Sequence, residues 1–226
     1  MRKPDAVIFD MDGVLVDSEP IHIQIEQEIF GQLGIVVAGA IHRSYMGASS
    51  DFMYGDLKTR FGLKDSVEEL MANDESFRSN YFKKLEVVQP NDGVISLLNE
   101  LKSAGLKLAV ATSSSPKMAK LILNRCGIEP FFDTIVTTSE AGASKPLPDV
   151  YLLAAKKIGI SPASCIVFED SPNGLSAAKS AGMFCIAMQS DAAFDLSKAD
   201  YVIQTFKAFN LDRLLKIFNS KHLTQE

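Results

Sequence analysis

Positive charge is not in excess in this chain: 23 Lys and Arg stand against 28 Asp and Glu, for a formal net charge of −5. No basic face follows from that balance, which excludes nucleic acid as the main partner but leaves local cations for a small phosphorylated molecule. Long apolar runs are lacking too, so no segment is long enough to span a bilayer. Only four apolar residues, Ala6 to Phe9, separate the opening Met1–Asp5 from Asp10. That stretch is too short for a signal peptide. Cysteines are few and odd in number: Cys126, Cys165 and Cys185. Their spacing fits no zinc pattern. Cys165 and Cys185 lie in or beside apolar strand-like runs and read as small buried thiols. The expectation is a reducing, cytoplasmic compartment, a monomer rather than an oligomer, and no membrane partner. The sequence has no internal repeat and no low-complexity segment.

What is present is the composition of an ordinary globular protein, 46% hydrophobic and 23% charged over 226 residues. That length suits one large domain, or a domain with a smaller insert. From about residue 89 strands and helices alternate. Short apolar runs at 106–111, 134–137, 165–168 and 184–187 read as strands, with a possible edge strand at 201–203. Helical periodicity falls at 92–104, 116–126, 148–158, 172–181 and 211–218. This alternation predicts a three-layer α/β fold, a doubly wound, Rossmann-like parallel sheet covered by helices on both faces. Residues 19–85 differ: helical periodicity at 19–33, 37–45, 49–61 and 66–84, punctuated by Gly34, Gly47 and Gly62, predicts a four-helix insert. The core is expected to comprise 1–16 and 89–226, and the insert 17–88. Because the insert leaves the sheet beside the first strand's carboxyl end, it reads as a lid over a ligand site. The plain alternative is a bundle packed permanently on the sheet's side.

The densest chemical signal is at residues 6–18, where an apolar strand runs into Asp10, Met11, Asp12 and Gly13. Alternate residues of an extended chain share a face. Asp10 and Asp12 then emerge about 6–7 Å apart by strand rise. Two carboxylates so close repel unless a cation or a shared proton relieves them, which favours a metal or acid/base role over a structural one. Gly13 permits a sharp turn and a close approach to a ligand.

Three further clusters follow strand ends. Thr112, Ser113, Ser114 and Ser115 precede a helix, where hydroxyls and free N–H groups favour an anion. A plain Ser115 helix cap before Pro116 accounts for part of this cluster, and both readings can hold. Lys145 is fixed between Ser144 and the pair Pro146 and Pro148. It is placed to neutralise a phosphate and a neighbouring carboxylate, although most lysines are solvated surface charges. Glu169 and Asp170 end an apolar strand and offer the hard oxygens that suit Mg²⁺. A helix cap would explain one of those acids but not the pair.

In order and context the four clusters resemble the haloacid dehalogenase superfamily. The likeness covers nearly the whole chain. It extends to the branch that holds β-phosphoglucomutases and small sugar-phosphate phosphatases, through Asp17-Ser18-Glu19-Pro20 with His22, the helical insert, and Glu169 to Gly174. The resemblance implies a Mg²⁺-dependent phosphomonoesterase acting on a small phosphorylated metabolite. Asp10 would be the nucleophile that becomes an aspartyl-phosphate, and Asp12 the general acid/base. Thr112 and Lys145 would bind the phosphoryl group. Asp10, the backbone carbonyl of Asp12, Asp170 and Glu169 would hold Mg²⁺.

The same branch contains mutases, which need a second phosphate site. The resembling mutases carry an Arg in the lid where this chain has Ser50, after Gly47-Ala48-Ser49. They carry a Lys where it has Ser115. Losing two cations weakens a second dianion site and favours water as acceptor. Arg43, Arg60 or Arg78 could compensate, depending on where each points. His22 stands where the mutases place a substrate-contacting His, and a helix-packing role is equally open. Gly13, Ser113, Ser114, His22, Gly47 and Ser50 are the candidate substrate-binding residues. Met46, Ser49 and Met53 are further lid positions expected to face the pocket. A dehalogenase and a non-catalytic sugar-phosphate-binding protein are the alternatives from other classes. The Glu169-Asp170 pair opposes the first, and the intact set of Asp10, Asp12, Thr112, Lys145 and Asp170 opposes the second.

Overall fold

A computed structural model describes residues 3–45, 50–85, 88–189 and 194–220. In chain order the elements are β1 (Ala6–Phe9), α1 (Glu19–Gln32), α2 (Gly39–Tyr45), α3 (Ser50–Phe61), α4 (Val67–Lys84), α5 (Val94–Ser103), β2 (Lys107–Thr112) and α6 (Pro116–Arg125). They continue with β3 (Thr134–Thr137), α7 (Thr138–Ala141), α8 (Asp149–Ile158), β4 (Cys165–Glu169), α9 (Pro172–Ser180), β5 (Phe184–Met188), β6 (Tyr201–Ile203) and α10 (Leu211–Ser220). The chain divides into two compact units, one formed by residues 1–17 and 87–226 and the other by residues 18–86.

The first unit is a six-stranded sheet in the order β3-β2-β1-β4-β5-β6, with every pair parallel. β1 is central and its four residues are wholly buried, as a run of Ala, Val, Ile and Phe requires in a sheet covered on both faces. Alternation sorts these side chains. Ala6 and Ile8 join Ala109, Ala111, Cys165, Val167 and Cys185 against α8 and α9, whose inner residues are mostly small but include Tyr151 and Leu175. Phe9 belongs to the other layer, where its ring stacks on Phe168 at 5.2 Å. Phe206 and Phe209 pack edge-on against Phe168. Small residues thus bring helices close on one side, and aromatic volume fills the other.

The strand order reverses at β1, between β2 and β4, and in open parallel sheets that switch opens a crevice at the carboxyl ends. Phe9 pairs in register with both Val110 and Phe168. Asp10, Ala111 and Glu169 therefore stand level at the crevice floor.

The second unit is the helices α1 to α4 around Phe30, Tyr45, Met53, Tyr54, Leu57 and Leu70. Ser66 and Glu69 form a reciprocal capping box at the start of α4. The buried guanidinium of Arg78 donates from Nε to Asp74 at 2.8 Å, from Nη2 to Glu26 at 2.9 Å and from Nη1 to Nδ1 of His22 at 2.9 Å.

Beyond shifts of a residue or two at element ends, two elements depart from the sequence reading. The helix expected over 92–104 starts at Val94, because Gly93 takes φ 92° and packs against the backbone of Phe206. The four-residue α7, capped by Thr137, follows β3 directly and is too short to carry a periodic signal. Met46, Gly47, Ala48 and Ser49 lie outside the described residues. Among the described residues, no helix is long and apolar enough to cross a membrane.

Candidate active site

Asp10 is the first residue beyond β1, and its N–H donates to the carbonyl of Phe168 at 2.9 Å. This bond continues the β1–β4 ladder by one step and fixes the Asp10 backbone at the crevice. Lys145 arrives from the loop between α7 and α8 and is joined to Pro146 by a cis peptide. Its ammonium donates to Oδ1 of Asp10 at 2.7 Å, to Oε1 of Glu169 at 2.6 Å and to the carbonyl of Ala111 at 3.3 Å. All three N–H bonds of one lysine thereby tie the ends of three strands together.

Glu169, the last residue of β4, is fully buried. Oε1 accepts from Lys145 and from the Tyr151 hydroxyl at 3.0 Å. Oε2 accepts from the N–H groups of Asp170 and Ser171, each at 2.8 Å, and from the Ser171 hydroxyl at 3.0 Å. The carboxylate leaves no room for a side chain at Gly174, where a Cβ would fall 1.5 Å from Oε1. Gly13 has φ 78°, and a Cβ there would lie 1.9 Å from Oδ2 of Asp170. The two glycines of the flanking motifs are therefore the surfaces on which the two acids rest.

Asp10, Glu169 and Asp170 each present a carboxylate oxygen within 4.8 Å of the others'. Hard, clustered, negative oxygens are the donor set that a small dication prefers. The sequence offers both Glu169 and Asp170 as metal ligands, Asp170 before Glu169, and the geometry gives Glu169 a further task. Five donors from the chain already occupy the Glu169 oxygens, so Glu169 reads as the anchor of Lys145 and acts on the site through it.

Burial dominates the electrostatics. It raises Asp10 to about 7 against the opposing pull of Lys145, and Glu169 adds to the rise. Burial would also raise Glu169, but Lys145 and the hydrogen bonds from Ser171 and Tyr151 outweigh it and hold Glu169 below its usual range. Desolvation works against charge on Lys145, yet its two carboxylates push its pKa well above the ordinary value.

At the end of β2 the hydroxyl of Thr112 accepts from the N–H of Ser114 at 3.0 Å. Ser114 donates its own hydroxyl to Oδ2 of Asp12 at 2.8 Å. Ser113 is exposed on the same loop. Ser115 caps α6 and Ser171 caps α9, so both plain helix-cap roles exist beside the chemistry. Asn91 was not singled out from the sequence, yet its side chain donates to the carbonyls of Gly13 at 3.2 Å and Val14 at 2.8 Å and secures the turn after Asp12. Tyr151 was missed as well. Its only signal was an aromatic one turn into the helix that follows Lys145 and its prolines.

The first unit thus gathers Asp10, Lys145, Glu169 and Asp170, and links Asp12 to Thr112 through Ser114. His22 and Ser50 belong to the second unit, where His22 pairs with Arg78 and Ser50 opens α3. Gly47 lies outside the described residues.

A family model for haloacid dehalogenase-like hydrolases matches residues 4–182. The chain belongs to this family. Among its relatives, Bacillus subtilis YhcW is 35% identical over 96% of this chain and 99% of its own length. A phosphorylated carbohydrates phosphatase of Thermotoga maritima is 35% identical over 79% of this hydrolase and 82% of its own chain. The crystal structure of a β-phosphoglucomutase from Clostridium difficile superposes with a TM-score of 0.84 at 23% identity, covering 97% of this chain and 99% of that one, a likeness of fold.

Proposed function

We propose that this hydrolase is a phosphomonoesterase for a small phosphorylated carbohydrate and works through an aspartyl-phosphate on Asp10. The observation that carries the reading is the Lys145 ammonium bridging Asp10 and Glu169, with Asp170 alongside. The Thermotoga relative, named for phosphorylated carbohydrates, supports the substrate class.

In this reading Asp10 attacks phosphorus and the bond to the leaving oxygen breaks. Asp12 gives that oxygen its proton, steadied by the hydrogen bond from Ser114. Asp12, now a base, takes a proton from water, and the water oxygen attacks the phosphorus of the aspartyl-phosphate. Phosphate leaves and Asp10 is restored. Lys145 neutralises charge between the Asp10 carboxylate and the phosphoryl oxygens, which must meet for in-line attack. Thr112 and Ser113 offer hydroxyls to those oxygens, while the single hydroxyl proton of Ser114 goes to Asp12. Asp10, Asp170 and the backbone carbonyl of Asp12 would hold Mg²⁺, which when bound offsets carboxylate repulsion and polarises the phosphoryl group.

Hydrolysis is favoured over mutase chemistry by the cations of the second unit. Arg78 is buried and committed to Asp74 and Glu26. Arg60 pairs with Asp56. The Arg43 side chain is outside the described residues. Arg78 could serve a second phosphate only by giving up these pairs, whereas Arg60 meets Asp56 through Nε and keeps further N–H groups. The helical unit is the proposed lid, and Ser50 its substrate-sorting position.

Phosphate release from a panel of sugar, polyol and nucleotide phosphates, with Mg²⁺ and with EDTA, tests the reading. Mg²⁺-dependent release from sugar or polyol phosphates is the expected result. Efficient conversion of β-glucose 1-phosphate to glucose 6-phosphate, primed by the bisphosphate, would overturn it. Ser50→Trp is expected to impair a sugar phosphate more than p-nitrophenyl phosphate, and equal losses would remove Ser50 from the specificity role.

A further inference from the structure

Tyr151 lies in the first turn of α8, where its N–H donates to the carbonyl of Pro148 at 3.0 Å. Its ring is wholly buried in the layer that holds Ile8, Ala109, Ala111 and Val167. Phe would meet a packing need there without a hydroxyl to satisfy in a dry interior. The hydroxyl is used: it donates to Oε1 of Glu169 at 3.0 Å, the same oxygen that accepts from Lys145. The Lys145 ammonium also stands over the Tyr151 ring, 5.1 Å from its centroid. An ammonium above a π face is held by the ring quadrupole, most firmly where water is excluded.

Four groups therefore restrain one lysine, the carbonyl of Ala111 among them. Asp10 and Glu169 draw it from two sides, and the Tyr151 ring supports it from a third. Because the hydroxyl shares Oε1 with Lys145, it takes up part of the Glu169 charge. That leaves more of the ammonium's field for Asp10.

We propose that Tyr151 is a positioning residue for phosphoryl transfer, fixing Lys145 toward Asp10 both through the face of its ring and by sharing Glu169. The proposal rests on the phosphatase reading, in which Lys145 acts on the transferred phosphoryl group. Tyr151 itself touches neither substrate nor metal.

Tyr151→Phe keeps the ring and removes the hydroxyl, while Tyr151→Leu removes both. Steady-state kinetics on a hydrolysed sugar phosphate should show kcat about tenfold lower in Tyr151→Phe, the scale of one hydrogen bond to a charged group, with KM held within about twofold. Tyr151→Leu should lose more, so that Phe restores part of what Leu removes. A structural role alone would lower thermal stability without this split, so unfolding midpoints are measured alongside. NMR of the Lys145 side chain supplies a readout independent of turnover. Its Cε protons should keep their ring-current shift in Tyr151→Phe and lose it in Tyr151→Leu, while the ammonium signal moves in both. Wild-type kcat in Tyr151→Phe, or a change in KM alone, would overturn the proposal. If the wild-type protein released no phosphate from any compound, the phosphatase reading would fall, and NMR would decide the placement of Lys145 separately. An unmoved ammonium signal in Tyr151→Phe would then reject it.

Discussion

The ammonium of Lys145 stands 2.7 Å from Oδ1 of Asp10, across 135 residues of sequence. Its second carboxylate, Glu169, is 2.6 Å away on the neighbouring strand. A buried ion pair of this kind adds little stability compared with apolar packing, but removing one partner leaves uncompensated charge in the interior. The pair is therefore better explained by chemistry than by folding, and that distinction is measurable.

Lys145→Met should abolish most activity, with kcat down about 100- to 1,000-fold, the cost of deleting one charge-stabilising group. It should also destabilise the fold by about 3 kcal/mol, because Asp10 and Glu169 would face each other unpaired. Denaturant unfolding and single-substrate kinetics check both. An active, equally stable variant would show that Lys145 is a bystander.

Gly174→Ala places a methyl where the Glu169 carboxylate now sits, 1.5 Å from Oε1. Glu169 would have to move and carry Lys145 with it. A loss of about 1–3 kcal/mol and a drop in kcat are expected. Gly31→Ala, with open space around its Cβ inside α1, is the control and should leave kcat unchanged and raise stability by up to about 1 kcal/mol.

If the clustered carboxylates hold Mg²⁺ as proposed, the ion is a ligand of the folded state. Mg²⁺ should raise the unfolding midpoint, with about 2.7 kcal/mol of stabilisation at a hundredfold excess over its dissociation constant. EDTA should reverse the gain, and Asp170→Asn should remove it. An equal Mg²⁺ increment in that variant would exclude Asp170 as a ligand.

Burial pushes the thiols of Cys126 and Cys165 up to about 12 and that of Cys185 higher still. A raised thiol pKa means less thiolate, on the order of one in ten thousand at pH 8 for the first two. A disulfide reagent at pH 8 should therefore find no rapid thiol in the folded protein and three after denaturation. A fast-reacting thiol in the native state would contradict this.

The strands were legible because short apolar runs such as 165–168 need cover on both faces, which leaves a parallel sheet as the economical arrangement. Asp10 and Asp170 were legible because each follows a strand end, and a doubly wound sheet brings strand ends together, whereas Lys145 was legible from its place beside Pro146 and Pro148. Tyr151 was not, because its bond to Glu169 spans two elements and its spacing reads equally well as core. The anchoring task of Glu169 was hidden for the same reason: adjacent acids look alike until the donors on Glu169 are seen. The direction of Arg78 depended on a network from α1 to α4, which no local pattern encodes.

The central claim is a covalent bond to Asp10, and the most direct measurement is to trap it. Wild-type protein turning over a sugar phosphate would be quenched rapidly, reduced with borohydride, digested and read by mass spectrometry, with Asp10→Asn in parallel. Homoserine at position 10 in the wild type and an unmodified, inactive variant are the expected results. Reduction at another carboxylate, or turnover that persists in Asp10→Asn, would contradict that claim.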